Sequence, residues 1–218
     1  MKRFASCAVL LLTLAAVAGA QPPERLDPDA RERADAAATK ALRTYGLLVN
    51  QSNFEDLGFT SPGEVGEATL GDPLEEFMIR LDNLRAYEPD QRGLVITPNR
   101  RLTYPLIVAG EQRSSLTVAQ IGDGWDAVAF GGPNYARLLV AARQRLAVQS
   151  DRPPDDYFEI RVPALNVGFV AYQEGDDLFL MPLLEDPRFD FGSEEAIPFE
   201  RALEVLQPAA REHNGLPT

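Results

Sequence analysis

The feature that most limits what this chain can become is the position of its one cysteine. Cys7 lies inside a leader: Met1-Lys2-Arg3 is basic, Ala8 to Val17 is apolar and uncharged, and Ala18-Gly19-Ala20 offers small residues for cleavage. Residues 1–20 therefore read as a cleavable secretory signal, with the mature chain starting at Gln21. Cys7 precedes most of the apolar run, whereas the lipid-modified cysteine of a lipoprotein follows it, so it reads as lost with the leader. The remaining 198 residues (218 minus 20) can form no disulfide even in an oxidising compartment, and their fold must rest on a packed core. A hydrophobic content of 45% is ordinary for a globular chain and supplies one. The apolar run is shorter than the roughly 20 residues that cross a bilayer, and no later stretch is both long and charge-free. Membrane insertion is not expected, and export to the periplasm or the medium is.

Cleavage also removes Lys2 and Arg3. That leaves 19 basic residues (21 minus 2) against 33 acidic ones, a net charge of −14. Such a surface repels nucleic acid and anionic lipid, so neither is an expected partner, and the charge reads mainly as a means of solubility. Lysine occurs only at Lys2 and Lys40 while arginine is abundant, a bias that points to a GC-rich bacterial coding sequence.

Hydrophobic periodicity sets out the elements. Ala30, Ala34, Ala37, Ala38, Ala41, Leu42, Tyr45 and Leu48 recur at helical spacing and predict an N-terminal amphipathic helix over residues 29–49. Ser61-Pro62-Gly63-Glu64 combines a capping serine, a proline at the first position and a glutamate three residues on, which predicts a short helix ending near Leu70-Gly71. Phe77, Ile79 and Leu81 alternate as a strand. Leu94 to Thr97 and Leu102 to Val108 flank Pro98-Asn99-Arg100-Arg101, which suits a hairpin turn. Strands over 112–121 and 125–130 follow around Gly122-Asp123-Gly124, and Gly131-Gly132-Pro133 opens a helix with Tyr135, Leu138, Leu139, Ala142 and Leu146 on one face.

Asp151 to Asp156, with Pro153-Pro154 at its centre, reads as a linker. Beyond it Phe158, Ile160 and Val162 alternate with Glu159 and Arg161. Strands over 167–172 and 178–183 surround the turn 173–177, and Pro198 opens a last helix that Pro208 should break or kink. Residues 104–148 and 158–212 thus share three strands followed by a helix, without a shared residue motif. The expected fold class is α+β, with antiparallel sheet built from two β-meander-plus-helix units behind the N-terminal helix. The expected division is 1–20 signal, 21–55 helix and loop, 56–150 first unit and 151–218 second unit, the two units packing as one domain or as two lobes.

Few residues could carry chemistry. His213 is the only histidine and sits at the end of the last helix, so a Ser-His-Asp or Cys-His nucleophile and a Cys/His zinc site have no basis; no metal and no cofactor are expected. Asp155-Asp156, Asp176-Asp177 and Glu185-Asp186 with Asp190 are carboxylate-rich, but none follows an EF-hand pattern, and they read as solvated turns. Gly131-Gly132 lacks the glycine spacing of a phosphate-binding loop. Trp125 and Tyr135, near Tyr104 and Phe130 in sequence, are the candidate binding residues, weighed against a place in the core.

Two function classes remain. The first is an exported, non-enzymatic binding or protein-interaction module whose partner is a protein or extracellular polymer met through an apolar patch. The alternative is a hydrolase working with two carboxylates, for example on glycans, which needs a pair about 5 to 9.5 Å apart with split pKa values. With 33 acidic residues the sequence selects no such pair. A cleft holding two close carboxylates is the observation that separates the readings.

Overall fold

The computed structural model describes residues 23–89 and 95–215. The secretory signal read over 1–20, with Cys7 and the start at Gln21, lies outside them. The described residues are α+β: four α-helices with a large, mostly antiparallel sheet. None of these helices is long and apolar enough to cross a membrane.

Helix α1 (Pro28–Leu48) begins where the Asp27 carboxylate accepts the Ala30 amide at 2.7 Å, with proline at the first turn. It buries Ala30, Ala34, Ala38, Ala41 and Tyr45, a stripe of small residues that lets its axis lie close to the sheet. The strands are β1 (Thr69–Leu70), β2 (Leu74–Ile79), β3 (Ile96–Val108), β4 (Glu111–Ile121), β5 (Gly124–Phe130), β6 (Phe158–Val162), β7 (Val167–Glu174), β8 (Asp177–Pro182) and β9 (Ile197–Pro198). Helices α2 (Leu81–Arg85), α3 (Pro133–Ser150) and α4 (Phe199–Glu212) complete the order.

The strands pair in the order β5-β4-β3-β2-β6-β7-β8-β9, with β1 alongside β3. Among them only β2 and β6 pair in parallel. The segment 151–156 therefore leads the chain back into the same sheet, beside β2, and the two runs of strands share one hydrogen-bonded layer.

Register assigns the faces, since paired residues point the same way. Phe77 pairs with Ile160 and Ile160 with Phe169, and these pack with α2 and α4. Leu102, Tyr104, Leu116 and Val118 pack under α1, and Leu102 reaches the same face because it pairs with Glu75, itself beside Phe158. The opposite face carries Leu74, Val170, Met181 and Leu183 beneath α3, whose Leu139, Ala142 and Leu146 bury there. Two helical blocks thus cover one face and α3 the other.

Four local expectations are corrected. The sequence 98–101 is no hairpin turn: β3 runs through it, and between the pairs Glu76–Arg101 and Phe77–Pro98 the register slips, leaving Asn99 and Arg100 as a bulge with Arg100 at φ 50°. The chain does reverse where Gly110-Glu111 suggests it, through Ala109 and Gly110, both at positive φ as a two-residue hairpin requires. Leu81 does not continue β2 but opens α2, which leaves Leu84 buried against α4. Pro208 does not end α4, because Phe199, Ala202, Leu203 and Leu206 before it and Ala210 after it are all buried, and packing holds the helix across the missing amide.

The fourth correction concerns Ser61. No helix begins at Pro62; a 3-10 turn spans Glu64–Glu67, and Gly63 before it supplies no side-chain cap. Glu64 does the work expected of Ser61, accepting from the Thr60 amide and from Thr60 Oγ1 at 2.7 Å while Arg113 Nε donates to it at 2.9 Å. Glu64→Ala is expected to lower stability by about 1 kcal/mol, and Ser61→Ala to stay within about 0.5 kcal/mol of the parent. Urea unfolding midpoints of the two variants check this.

Candidate functional site

A carboxylate pair sits at the parallel junction. Glu76 on β2 and Glu159 on β6 are register partners, so both side chains leave the sheet on the α3 face. Glu159 is 0% exposed and Glu76 4%. Like charges at adjacent strand positions repel, and burial strips both of water, so the arrangement stands only because other groups converge on it.

Four such groups come from three elements. Tyr135, in the first turn of α3, donates its hydroxyl to Glu159 Oε1. Asn99, set out from β3 by the bulge, donates to Glu76 Oε1. Arg161, two residues along β6 from Glu159, brings Nε to 3.6 Å from Glu159 Oε1 and Nη1 to 3.8 Å from Glu76 Oε2. Its guanidinium also lies over the Tyr135 ring, 5.3 Å from the centroid. Arg101, the β3 partner of Glu76, adds a second positive charge from the other side.

Glu159 Oε2 is buried without a hydrogen-bond partner. An ionised carboxylate in that position would be costly, and burial pushes the Glu159 carboxyl up to about 7. The Tyr135 hydrogen bond pulls downward, the Glu76 charge upward, and Arg161 and Arg101 downward. Tyr135 is itself pushed well above the ordinary tyrosine range by burial and by Glu159, so its hydroxyl stays a donor.

Beside this network opens a cleft of about 540 Å³ between α3, the β6–β7 connection and the segment after β8. Leu138, Val167, Leu183 and Leu184 give it apolar walls, and Tyr135 and Arg161 border it on the carboxylate side. Gly168 makes the closure possible: a Cβ there would stand 2.8 Å from Leu183 Cδ1 and 3.4 Å from Tyr135 Oη. Arg188 also lines the cleft, but Asp186 consumes it, accepting from Arg188 Nη2 at 2.6 Å and from Nε at 3.0 Å, and this fork holds the Asp186 carboxyl below its usual range.

The sequence candidates separate. Tyr135 reaches the cleft. Trp125 does not: it is buried with Tyr104 under α1, on the other side of the sheet, with its Nε1 unpartnered. Phe130 also turns to the α1 side, stacking on Tyr45 at 4.8 Å. His213 caps the end of α4, its Nδ1 accepting the Gly215 amide at 2.9 Å. Gly132, in the left-handed region, is the residue before α3. The acidic pairs lie at turns and strand ends, where Asp155 meets Arg31 and Asp156 meets Arg152. Among the described residues no group of three or more His, Cys, Asp or Glu side chains is placed to hold a metal ion.

Sequence reading missed Glu76, Glu159 and Arg161. Glu159 and Arg161 alternate with Phe158, Ile160 and Val162 and so read as the water-facing side of a half-buried strand. The signal against that reading is the amphipathic run 133–150, a helix that needs a sheet face of its own. The comparisons with known proteins add no assignment. The chain matches no family model, no curated protein and no solved structure.

A carboxyl raised in the folded state binds its proton more tightly there than in the unfolded chain. Its contribution to stability is therefore present below the unfolded pKa of about 4.3 and is lost as pH rises through about 7. Glu159→Gln keeps an acceptor for Tyr135 and cannot ionise. Relative to the parent, this variant is expected to gain stability on going from pH 5 to pH 8, by an amount on the order of 3 kcal/mol. Denaturant unfolding of both proteins across that range measures the difference; parallel pH profiles would refute the assignment.

Proposed function

We propose that the chain is an exported, non-enzymatic binding module that seats its ligand in the cleft beside Tyr135 and Arg161. In this reading residues 1–20 are removed and the protein works in the periplasm or the medium, its two meander-plus-helix units acting as halves of one body around the β2–β6 junction. The observation that carries the proposal is the cleft itself. Its volume of about 540 Å³ falls within the ~300 to 1,000 Å³ of small-molecule sites, and its apolar walls surround a few converging polar groups. The partner expected from sequence, a protein or polymer met through an apolar patch, narrows here to whatever part of a ligand fits that volume.

The hydrolase reading draws support from one feature, the raised carboxyl of Glu159 beside Glu76. Access argues against it. A glycosidase presents its acid and its second carboxylate to the bond being cut, whereas Glu159 and Glu76 lie almost wholly out of solvent, behind Tyr135 and Arg161. Those two side chains, not the acids, border the cleft.

Leu184 offers a clean test because it is 61% exposed and its replacement costs the core little. In the exported protein, expected by intact mass to begin at Gln21, amide spectra recorded with a library of small apolar acids, alcohols and amines should show saturable shifts around Val167, Gly168 and Leu183. Leu184→Glu should abolish them with an unchanged unfolding midpoint. Absence of saturable binding, together with turnover of a glycan that Glu159→Gln loses, would reject the binding reading in favour of the hydrolase; residues 1–20 still attached would reject export.

A further inference from the structure

The two arginines of the cleft differ in what they have left to give. Arg188 is spent on Asp186, with its Nη2 also donating to the Leu165 carbonyl at 3.1 Å. Arg161 is held differently. Its contacts with Glu159 and Glu76, at 3.6 and 3.8 Å, are charge contacts longer than the ~3.2 Å limit of a good N–H···O bond. The guanidinium leans on Glu76 through this long contact, and its side chain is still 40% exposed. Two buried carboxylates and the Tyr135 ring therefore hold from behind a partly exposed guanidinium that borders the cleft.

We infer that the cleft takes a small amphiphile bearing one carboxylate, its head bound to the Arg161 guanidinium and its apolar body laid along Leu138, Val167, Leu183 and Leu184. The inference rests on the binding reading above and adds the class of ligand. A planar fork of donors matches a carboxylate in two-point contact, and such charge-assisted bonds are the strong ones. A cationic head is disfavoured, because the acids near the floor are out of reach: Glu76 and Glu159 lie behind Arg161, and Asp186 is engaged by Arg188. Glu185 is exposed beside Asp186 and is solvated. At about 30 Å³ per water-sized unit, about 540 Å³ holds fewer than roughly twenty non-hydrogen atoms, which suits a medium-chain acid or the last residues of a peptide.

Binding of an anion there is coupled to a proton. The charged and titratable groups facing Glu159 are Glu76 from β2, Arg101 from β3, Tyr135 from α3 and Arg161 from β6. With Glu159 protonated, Arg161 and Arg101 outweigh Glu76 and the site accepts a negative head. With Glu159 ionised, the acids balance the arginines and an incoming carboxylate meets a second buried negative charge. The ligand therefore favours protonated Glu159 and binds more tightly below pH 7 than above it.

The probes are octanoate, octanol and octylamine below their micellar limits, with an acetylated Leu-Ala-Leu peptide as free acid and as amide. They are titrated into the full mature chain at pH 6 and pH 8 and followed by amide shifts at Val167, Gly168 and Leu184. Octanoate or the peptide acid should bind saturably, and roughly tenfold more tightly at pH 6 than at pH 8. Glu159→Gln should bind equally at both. Arg161→Gln should lose tenfold or more, and Arg161→Lys, which keeps the charge without the fork, should fall between. Preference for octanoate assigns the carboxylate to a free acid, and preference for the peptide acid over its amide assigns it to a chain end; both support the shared chemistry. Octanol or octylamine binding as tightly as octanoate, or a folded Arg161→Gln binding like the parent, overturns the carboxylate inference and leaves cleft binding standing. Saturable binding of none of the probes overturns the carboxylate inference and removes the support for cleft binding as well.

Discussion

Glu76 and Glu159 meet where two runs of antiparallel strands are joined side by side, and the arrangement of this face follows from making that meeting tolerable. Neither acid can be hydrated, since α3 covers the face from which both project. The chain answers with two hydrogen-bond donors and a positive charge: Asn99 from β3, Tyr135 from α3 and Arg161 from β6 itself. The bulge in β3 gains a reason here, because it carries Asn99 to Glu76. The entry of α3 gains one too, because its first turn carries Tyr135 to Glu159. Breaking a buried network of this kind at one member leaves another charge or acceptor bare, which costs more than any single bond in it contributes.

The opposite face is held by simpler means. Small residues on α1 let it settle on β3 to β5, and the Tyr104 hydroxyl donates to Asp35 at 2.6 Å to tie helix to sheet. The amphipathic stripe of α4 closes over β6 to β8 with α2 at its side. Glu75, the neighbour of Glu76 on β2, points to this face and accepts from Arg25 Nε at 2.8 Å and from the Leu26 amide at 3.1 Å, fastening the segment that leads into α1. Consecutive glutamates on one central strand thus serve opposite faces, one as an anchor and the other as half of the buried pair.

The α+β class was legible because it depends on local signals: alternation in β2 and β6, glycines at 110, 122 and 175, and proline-led helices at 133 and 198. The errors arose where tertiary contact overrides local preference. Pro98-Asn99 has turn chemistry and yet lies in a strand, because β2 pairs with β3 on both sides of the bulge, at Pro98 and at Arg101. Pro208 lacks a donor and yet lies in a helix, because the apolar stripe on both sides of it is buried. Glu159 reads as exposed in any strand-by-strand view, since the helix that covers it, at 133–150, lies outside the strand itself. Of the candidate binding residues, Tyr135 could be named from its place on a helix face, but the partners that give it meaning come from 24 and more residues away.

The same network links the fold to the proposed role, since the groups that neutralise the buried pair also present Arg161 to the cleft. That link stands on the protonation of one side chain. Carbon-13 labelling of glutamate carboxyls, with a pH titration of the parent and of Glu159→Gln to assign the signal, reads it directly. The account predicts one glutamate carboxyl titrating near pH 7, absent from the variant. A parent in which every glutamate carboxyl titrates below about pH 5.5 would contradict it.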